Sequence, residues 1–167
     1  MKAIDPGMAG LGLERPDGQL VLFSGIRDGT PLPMLLSQPE TRDSFRASIA
    51  SGHIQLGRPY YMKALKLWVN PVRVPILDPQ GRTVAVMTAG YAIDAGTTLG
   101  AHAALPPGIQ MALLRDDHYL QYFYPLPAGP KQAIVLSTYG RPIHPKTLQQ
   151  LAALRQSKGV MTIDLPR

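Results

Sequence analysis

Arg58, Tyr61, Trp68 and Arg73 crowd one stretch of this chain, and Tyr91 follows on a later apolar run. An arginine can grip a carboxylate through two parallel hydrogen bonds. Aromatic side chains supply the apolar wall of a small-molecule site. These five residues therefore read as a ligand pocket, and its preferred ligand is an anionic or neutral small molecule. The plainer alternative makes Trp68 a core residue and both arginines surface residues. An arginine amid so many apolar neighbours needs a partner, so both alternatives stay open for Arg58 and Arg73.

Other reactive constellations are weaker. Asp116-Asp117-His118 could suggest a metal or acid–base site, but adjacent side chains in a turn point apart. No second cluster of His or carboxylates stands at a useful spacing, so a solvated turn is the better reading and no metal is expected. Ser24, Ser44, Ser48 and Ser137 lack the G-x-S-x-G setting of a nucleophile elbow. Gly10-Leu11-Gly12 fails as a dinucleotide fingerprint because Arg15 stands where the third glycine belongs. No phosphate loop occurs, and no cofactor is expected. The absence of cysteine excludes disulfides, cysteine catalysis and thiolate metal sites. No catalytic residues are assigned, and the chain reads as a non-enzyme.

The bulk properties narrow the class further. A length of 167 residues suits one domain, or one domain and part of a second. The net charge of +6 is spread along the chain without a run of five basic residues. Together with the lack of an aromatic–basic RNA motif, this argues against a nucleic-acid partner. No apolar run reaches the ~18–20 residues of a membrane span. The segment Met1–Gly10 lacks the apolar core of a signal peptide. If the parent protein is exported, its anchor is expected outside this chain.

The elements that must position these residues are mostly hairpins. Seventeen prolines and sixteen glycines speak against a helical bundle. Leu11–Leu13 and Leu20–Phe23 flank the turn Arg15-Pro16-Asp17-Gly18, in a hairpin that runs from Gly12 to Gly25. Ile26 to Pro39 reads as a loop. Thr41 is expected to cap a helix that carries Phe45 and Ile49 on one face and stops at Gly52. Trp68, Val72, Val74 and Ile76 share one face of a strand, with Arg73 on the other. Pro71 and Pro75 give that strand an unpaired side or a bulge. The turn Asp78-Pro79-Gln80-Gly81 leads into a second strand, Thr83 to Ile93, making Val69–Ile93 an antiparallel hairpin. A short helix over Thr97–Ala104, strands Ile109–Leu114 and Tyr119–Tyr124, a proline-rich loop through Pro130, a helix His144–Gln156 and a strand Val160–Ile163 complete the reading. Hairpins with intervening helices predict an α+β fold, a PAS-like antiparallel sheet with flanking helices. A smaller, incomplete second α+β module follows. The expected modules are residues 1–96 and 97–167.

The ordered series Gly57-Arg58-Pro59-Tyr60-Tyr61, Lys66–Arg73, Ile76–Arg82 and Val84–Gly90 resembles a Cache domain. It is similar to the periplasmic double Cache sensor regions found ahead of diguanylate cyclase and phosphodiesterase modules. Leu105–Gly108, Leu113–Leu120, Tyr124–Pro127 and Tyr139–Pro142 resemble the second, membrane-proximal module. The likeness covers residues 8–163 by order and spacing. It implies an extracytoplasmic ligand sensor, periplasmic and part of an inner-membrane protein. It also implies an output domain elsewhere in the same parent chain, cyclic-di-GMP signalling, and a homodimer as an open option. Amino-acid-binding members carry a tryptophan where Ser44 stands and an aspartate where Ala92 stands. The resemblance thus implies a ligand other than an amino acid. His118 replaces the usual turn glycine and implies a looser turn. Two readings from other classes remain beside this one: a small α+β hydrolase or transferase, marked by a polar catalytic cluster in one pocket, and a dimerisation module marked by a large apolar surface patch.

Overall fold

The computed structural model describes residues 7–24, 26–27, 29–93 and 105–143, with Gln149, Ala152 and Ala153. Its first part is a six-stranded antiparallel sheet. The strands are β1 Met8–Glu14, β2 Leu20–Phe23, β3 Gln55–Leu56, β4 Tyr60–Met62, β5 Leu67–Leu77 and β6 Thr83–Ala92. They lie in the order β2-β1-β6-β5-β3, and β4 also pairs with β5. Helix α1, Pro39–Ser51, covers one face, placing Phe45 against Leu35 and Val86. A second sheet is the hairpin of β7, Met111–Leu114, and β8, Leu120–Tyr124, followed by α2, Pro130–Thr138. This is the α+β class that the sequence predicts, and it fits a PAS-like sheet.

Turn chemistry dictates the three hairpins. Gly18, Gly81 and His118 all adopt positive φ, at 86°, 78° and 70°. Each donates its N–H to the carbonyl three residues earlier, at 2.8, 2.9 and 2.9 Å. His118 therefore makes the same tight turn as the glycines, where a looser one is expected. Its strain is offset by the Ile143 N–H, which donates to the His118 carbonyl at 2.8 Å.

Two helical expectations are corrected. Helix α1 starts at Pro39, whose fixed φ and missing N–H suit the first helical position. Thr41 thus lies inside the first turn, fully buried, and its hydroxyl donates to the carbonyls of Leu35 and Gln38 instead of capping. Gly52 ends the helix in the left-handed conformation, as expected. The predicted proline-rich loop continues into α2, because Pro130 begins a helix as readily as it ends one. The expected helix over Thr97–Ala104, most of His144–Gln156, strand Val160–Ile163 and the 96/97 boundary lie outside the described residues.

Strand β5 sets the two faces of the large sheet. Val69, Pro71, Arg73 and Pro75 are buried and point inward toward α1, while Val74 and Ile76 are exposed. Trp68, Val72, Val74 and Ile76 do share a face, and it is the outer one. Beyond Arg73, β5 pairs only with β6 among the described residues and carries a register shift between Ile76 and Leu77. This fits the unpaired side and bulge expected from Pro71 and Pro75.

Candidate functional site

Arg73 is wholly buried on the inner face. Its Nη1 donates to the Ser44 hydroxyl at 3.0 Å, and its guanidinium carbon lies 5.9 Å from the Phe45 ring centre. Its Nε and Nη2 hydrogen-bond to no group among the described residues. These two nitrogens form one edge of the planar guanidinium, the edge that takes a carboxylate bidentately. Burial pulls the Arg73 pKa down, partly offset by Tyr60 and Glu14, yet a guanidinium stays charged at neutral pH. Each unsatisfied buried donor costs about 1–3 kcal/mol, more when charged.

A second polar group faces this one. Glu14 ends β1 almost fully buried. The Thr88 hydroxyl donates to its Oε2 at 2.9 Å. Thr88 is in turn the direct cross-strand neighbour of Arg73, so one strand position links the carboxyl to the strand that carries the guanidinium. Burial raises the Glu14 pKa to about 7, opposed by the Thr88 hydrogen bond and the Arg73 charge. Tyr60 completes the cluster, its phenol pushed up by burial, with Arg73 opposing and Glu14 adding. Ser44, Thr41 and Ser48 form the buried stripe of α1, and small hydroxyl residues there let helix and sheet approach closely.

A strap crosses the sheet edge beside Arg73. A Cβ added to Gly57 would lie 2.2 Å from Arg73 Nη1 and 2.7 Å from Pro71 Cγ, so only glycine fits. The strap residues are held from the second hairpin. Gln121 Nε2 donates to the Gly57 carbonyl at 3.2 Å and to Asn70 Oδ1 at 2.8 Å. Arg115 Nη1 donates to the Leu56 carbonyl and to Gln121 Oε1, each at 2.8 Å. Arg58 pairs through Nε with Asp117 at 2.9 Å and through Nη1 with Asp43 of α1 at 3.4 Å. It also lies 4.2 Å over the Tyr119 ring. Burial pushes the Asp117 carboxyl up, but Arg58 and Arg115 outweigh it and hold its pKa below the usual carboxylate value.

The five residues proposed from sequence do not converge. Tyr61 and Trp68 meet on the outer face with ring centres 5.8 Å apart, and Trp68 also packs on Tyr139 at 5.8 Å. Tyr91 lies opposite Asn70. Arg73 points to the other side of the sheet, and Arg58 grips the second hairpin. Glu14, Tyr60 and Thr88 on the inner face, and Gln121 and Asn70 at the strap, were not singled out as site residues by sequence reasoning, and Ser44 and Asp117 were named there for other roles. The turn assigned to Asp116-Asp117-His118 is correct, but Asp117 serves as an anchor and is not simply solvated. One signal was available: in Gly10-Leu11-Gly12-Leu13-Glu14 the leucines alternate with small residues, which sends Glu14 to the same face as Gly12. Glu14 Oε1, Leu20 and Phe23 fill the space beside Gly12, within 3.0–3.2 Å of where a Cβ would stand.

No family model and no curated protein matches the sequence. Among solved structures, the chain is similar to the GABA-bound ligand-binding domain of an amino acid chemoreceptor of Pseudomonas aeruginosa PAO1. The identity is 14% over 69% of this chain and 49% of that one, with a TM-score of 0.45. It is also similar to an RNA-binding light-oxygen-voltage receptor, at 18% identity over 52% and 29% of the two chains and a TM-score of 0.38. The chain thus spans about half the length of the chemoreceptor domain. Among the described residues, no helix is long and apolar enough to cross a membrane, and no cluster of three metal-binding side chains occurs.

Proposed function

We propose that this chain is the extracytoplasmic ligand-sensing region of a bacterial membrane signalling protein, and that it binds a small carboxylate at Arg73. The observation that carries the reading is the buried guanidinium edge with no hydrogen-bond acceptor among the described residues. Such an edge is costly unless a ligand completes it, and a carboxylate would gain charge-assisted hydrogen bonds of ~1.5–3 kcal/mol each. The motif order that resembles periplasmic Cache sensors supports the periplasmic setting. It also supports two modules, residues 1–96 and 97–167, and a parent output that makes or degrades cyclic di-GMP. The strap Leu56–Arg58 supports signal transfer, because it touches Arg73 on one side and is bonded to the β7–β8 hairpin on the other. Ligand binding then favours one of two packings of that hairpin.

The test is a thermal-shift screen of monocarboxylates and amino acids on the wild type and Arg73→Lys. A carboxylate should raise the melting temperature of the wild type alone. Stabilisation that survives in Arg73→Lys would overturn the anchor. The same preparation is expected to turn over no ester, phosphate or peptide. Turnover that a single point mutation abolishes would instead favour the hydrolase reading.

One observation favours a second reading, a dimerisation surface. Leu22, Leu13, Met87 and Val74 form one cross-strand row on the outer face, and Leu22, Met87 and Val74 are exposed. Sedimentation of the chain with and without Met87→Lys separates this reading from the first: a dimer lost in the variant, with no ligand response in the wild type, would support it.

A further inference from the structure

Resting on the carboxylate reading above, we propose that Glu14 and Arg73 form a single site that takes up a small monoanion together with one proton. The geometry comes first. Arg73 presents two donors inside the fold that have no hydrogen-bond partner among the described residues. The Glu14 carboxyl accepts a hydrogen bond from the hydroxyl of Thr88, the cross-strand partner of Arg73. No ion pair within 4.0 Å joins Glu14 to Arg73 among the described residues, although each is buried and each feels the other's charge. One cation and one anion are thus held near each other without contact, which leaves the cation free to receive a ligand.

Charge decides what that ligand is. A monoanion on the free edge of Arg73 neutralises the guanidinium. An ionised Glu14 would then be a second anion in the same buried cluster, and like charges at one buried site force one group to hold a proton. The bound state is therefore Arg73 charged, ligand charged and Glu14 neutral. No bond is broken: one anion and one proton enter from solvent. Among the described residues, the groups acting on Glu14 are few. Arg73 comes from β5 and Tyr60 from β4. The Thr88 hydroxyl comes from β6, and Leu20 and Phe23 of β2 line the space beside it. None of these can replace the proton. Burial already raises the Glu14 pKa to about 7, so the cost of protonation is small near neutrality. The site thereby reports carboxylate and acidity together.

The experiment is isothermal titration of the full chain with sodium acetate, propionate and lactate at pH 6, 7 and 8.5, repeated at pH 8.5 in phosphate and Tris. Below pH 7 the affinity should be level. Above it the affinity should fall toward about tenfold per pH unit. The two buffers should report uptake of about one proton per ligand, a reading that needs no variant. In Glu14→Gln the affinity should be level across the range. Equal affinity at pH 6 and 8.5 in the wild type, or a pH slope that survives in Glu14→Gln, would overturn the shared site while leaving the Arg73 anchor standing. If no monocarboxylate binds the wild type even at pH 6, the anchor itself fails, and the shared site with it.

Discussion

Arg58 belongs to the glycine-bearing strap and Arg73 lies against it, and their surroundings differ in every respect that matters. Arg58 is partly exposed, makes ion pairs to Asp117 and Asp43, and covers an aromatic ring. Arg73 is sealed under the sheet with, among the described residues, one hydroxyl acceptor and a neighbouring carboxyl it does not touch. The first arrangement is complete as it stands, so it holds the two sheets together. The second is incomplete, so its energy is open to change by something that enters. An arginine points to a ligand when its donors exceed its acceptors, and charge alone does not mark one.

The largest effect that would sharpen this contrast is its pH dependence, which has opposite signs in the two regions. Glu14 binds its proton more tightly in the folded chain, with a pKa of about 7 against an ordinary 4.5. Its contribution is therefore fully present below the unfolded value and lost as pH rises to about 7, an amount on the order of 3 kcal/mol. Asp117 is depressed, so its contribution is present above the ordinary carboxylate value and lost as pH falls below it. Urea melts of the ligand-free chain from pH 4.5 to 8 should show falling stability, and Glu14→Gln should remove most of the slope. A wild-type profile that rises over this range would contradict the burial of Glu14.

The next effect concerns the sign of two substitutions. Arg73→Met removes a buried charge with unsatisfied donors and keeps much of the volume, so it should stabilise the ligand-free chain by about 1–3 kcal/mol. Gly57→Ala drives a methyl group into the guanidinium and Pro71. It should destabilise by a similar amount through overpacking. If Arg73→Met destabilises instead, the guanidinium is satisfied in solution and the comparison with Arg58 collapses.

Much of this architecture was legible in the sequence because turn chemistry is local. Arg15–Gly18, Asp78–Gly81 and Arg115–His118 announce hairpins through residues that set φ or tolerate its reversal. The site was less legible because it depends on which face of a strand is inward. Prolines at 71 and 75 look like defects of an exposed edge, yet they line the inner face beside Arg73. The valines and isoleucine that suggest a core face the outside. Asp117 and Arg58 are 59 residues apart in sequence, and nothing local joins them. Only the register of β4 and β5 and the docking of β7–β8 bring them together.

The smallest expected effect lies at the clamp. Arg58 donates to Asp117 and Asp43, but the three side chains retain 16%, 33% and 55% of their exposure. Water competes for such pairs, and they contribute about 0.2–1 kcal/mol, with a similar amount from the cation over Tyr119. Arg58→Gln should therefore lower the melting temperature by only a few degrees. The consequence should be local. Gln121 keeps its bonds to Asn70 and Gly57, so the hairpin stays docked but opens more often. Hydrogen exchange should speed up at the amides of Leu120–Tyr124 and stay unchanged in β1 and β6 around Glu14 and Thr88. Carboxylate affinity should also be unchanged, while the exchange response of β8 to added carboxylate shrinks. If Arg58→Gln lowers carboxylate affinity as much as Arg73→Lys does, the two arginines belong to one pocket after all, and the division between anchor and clamp is wrong.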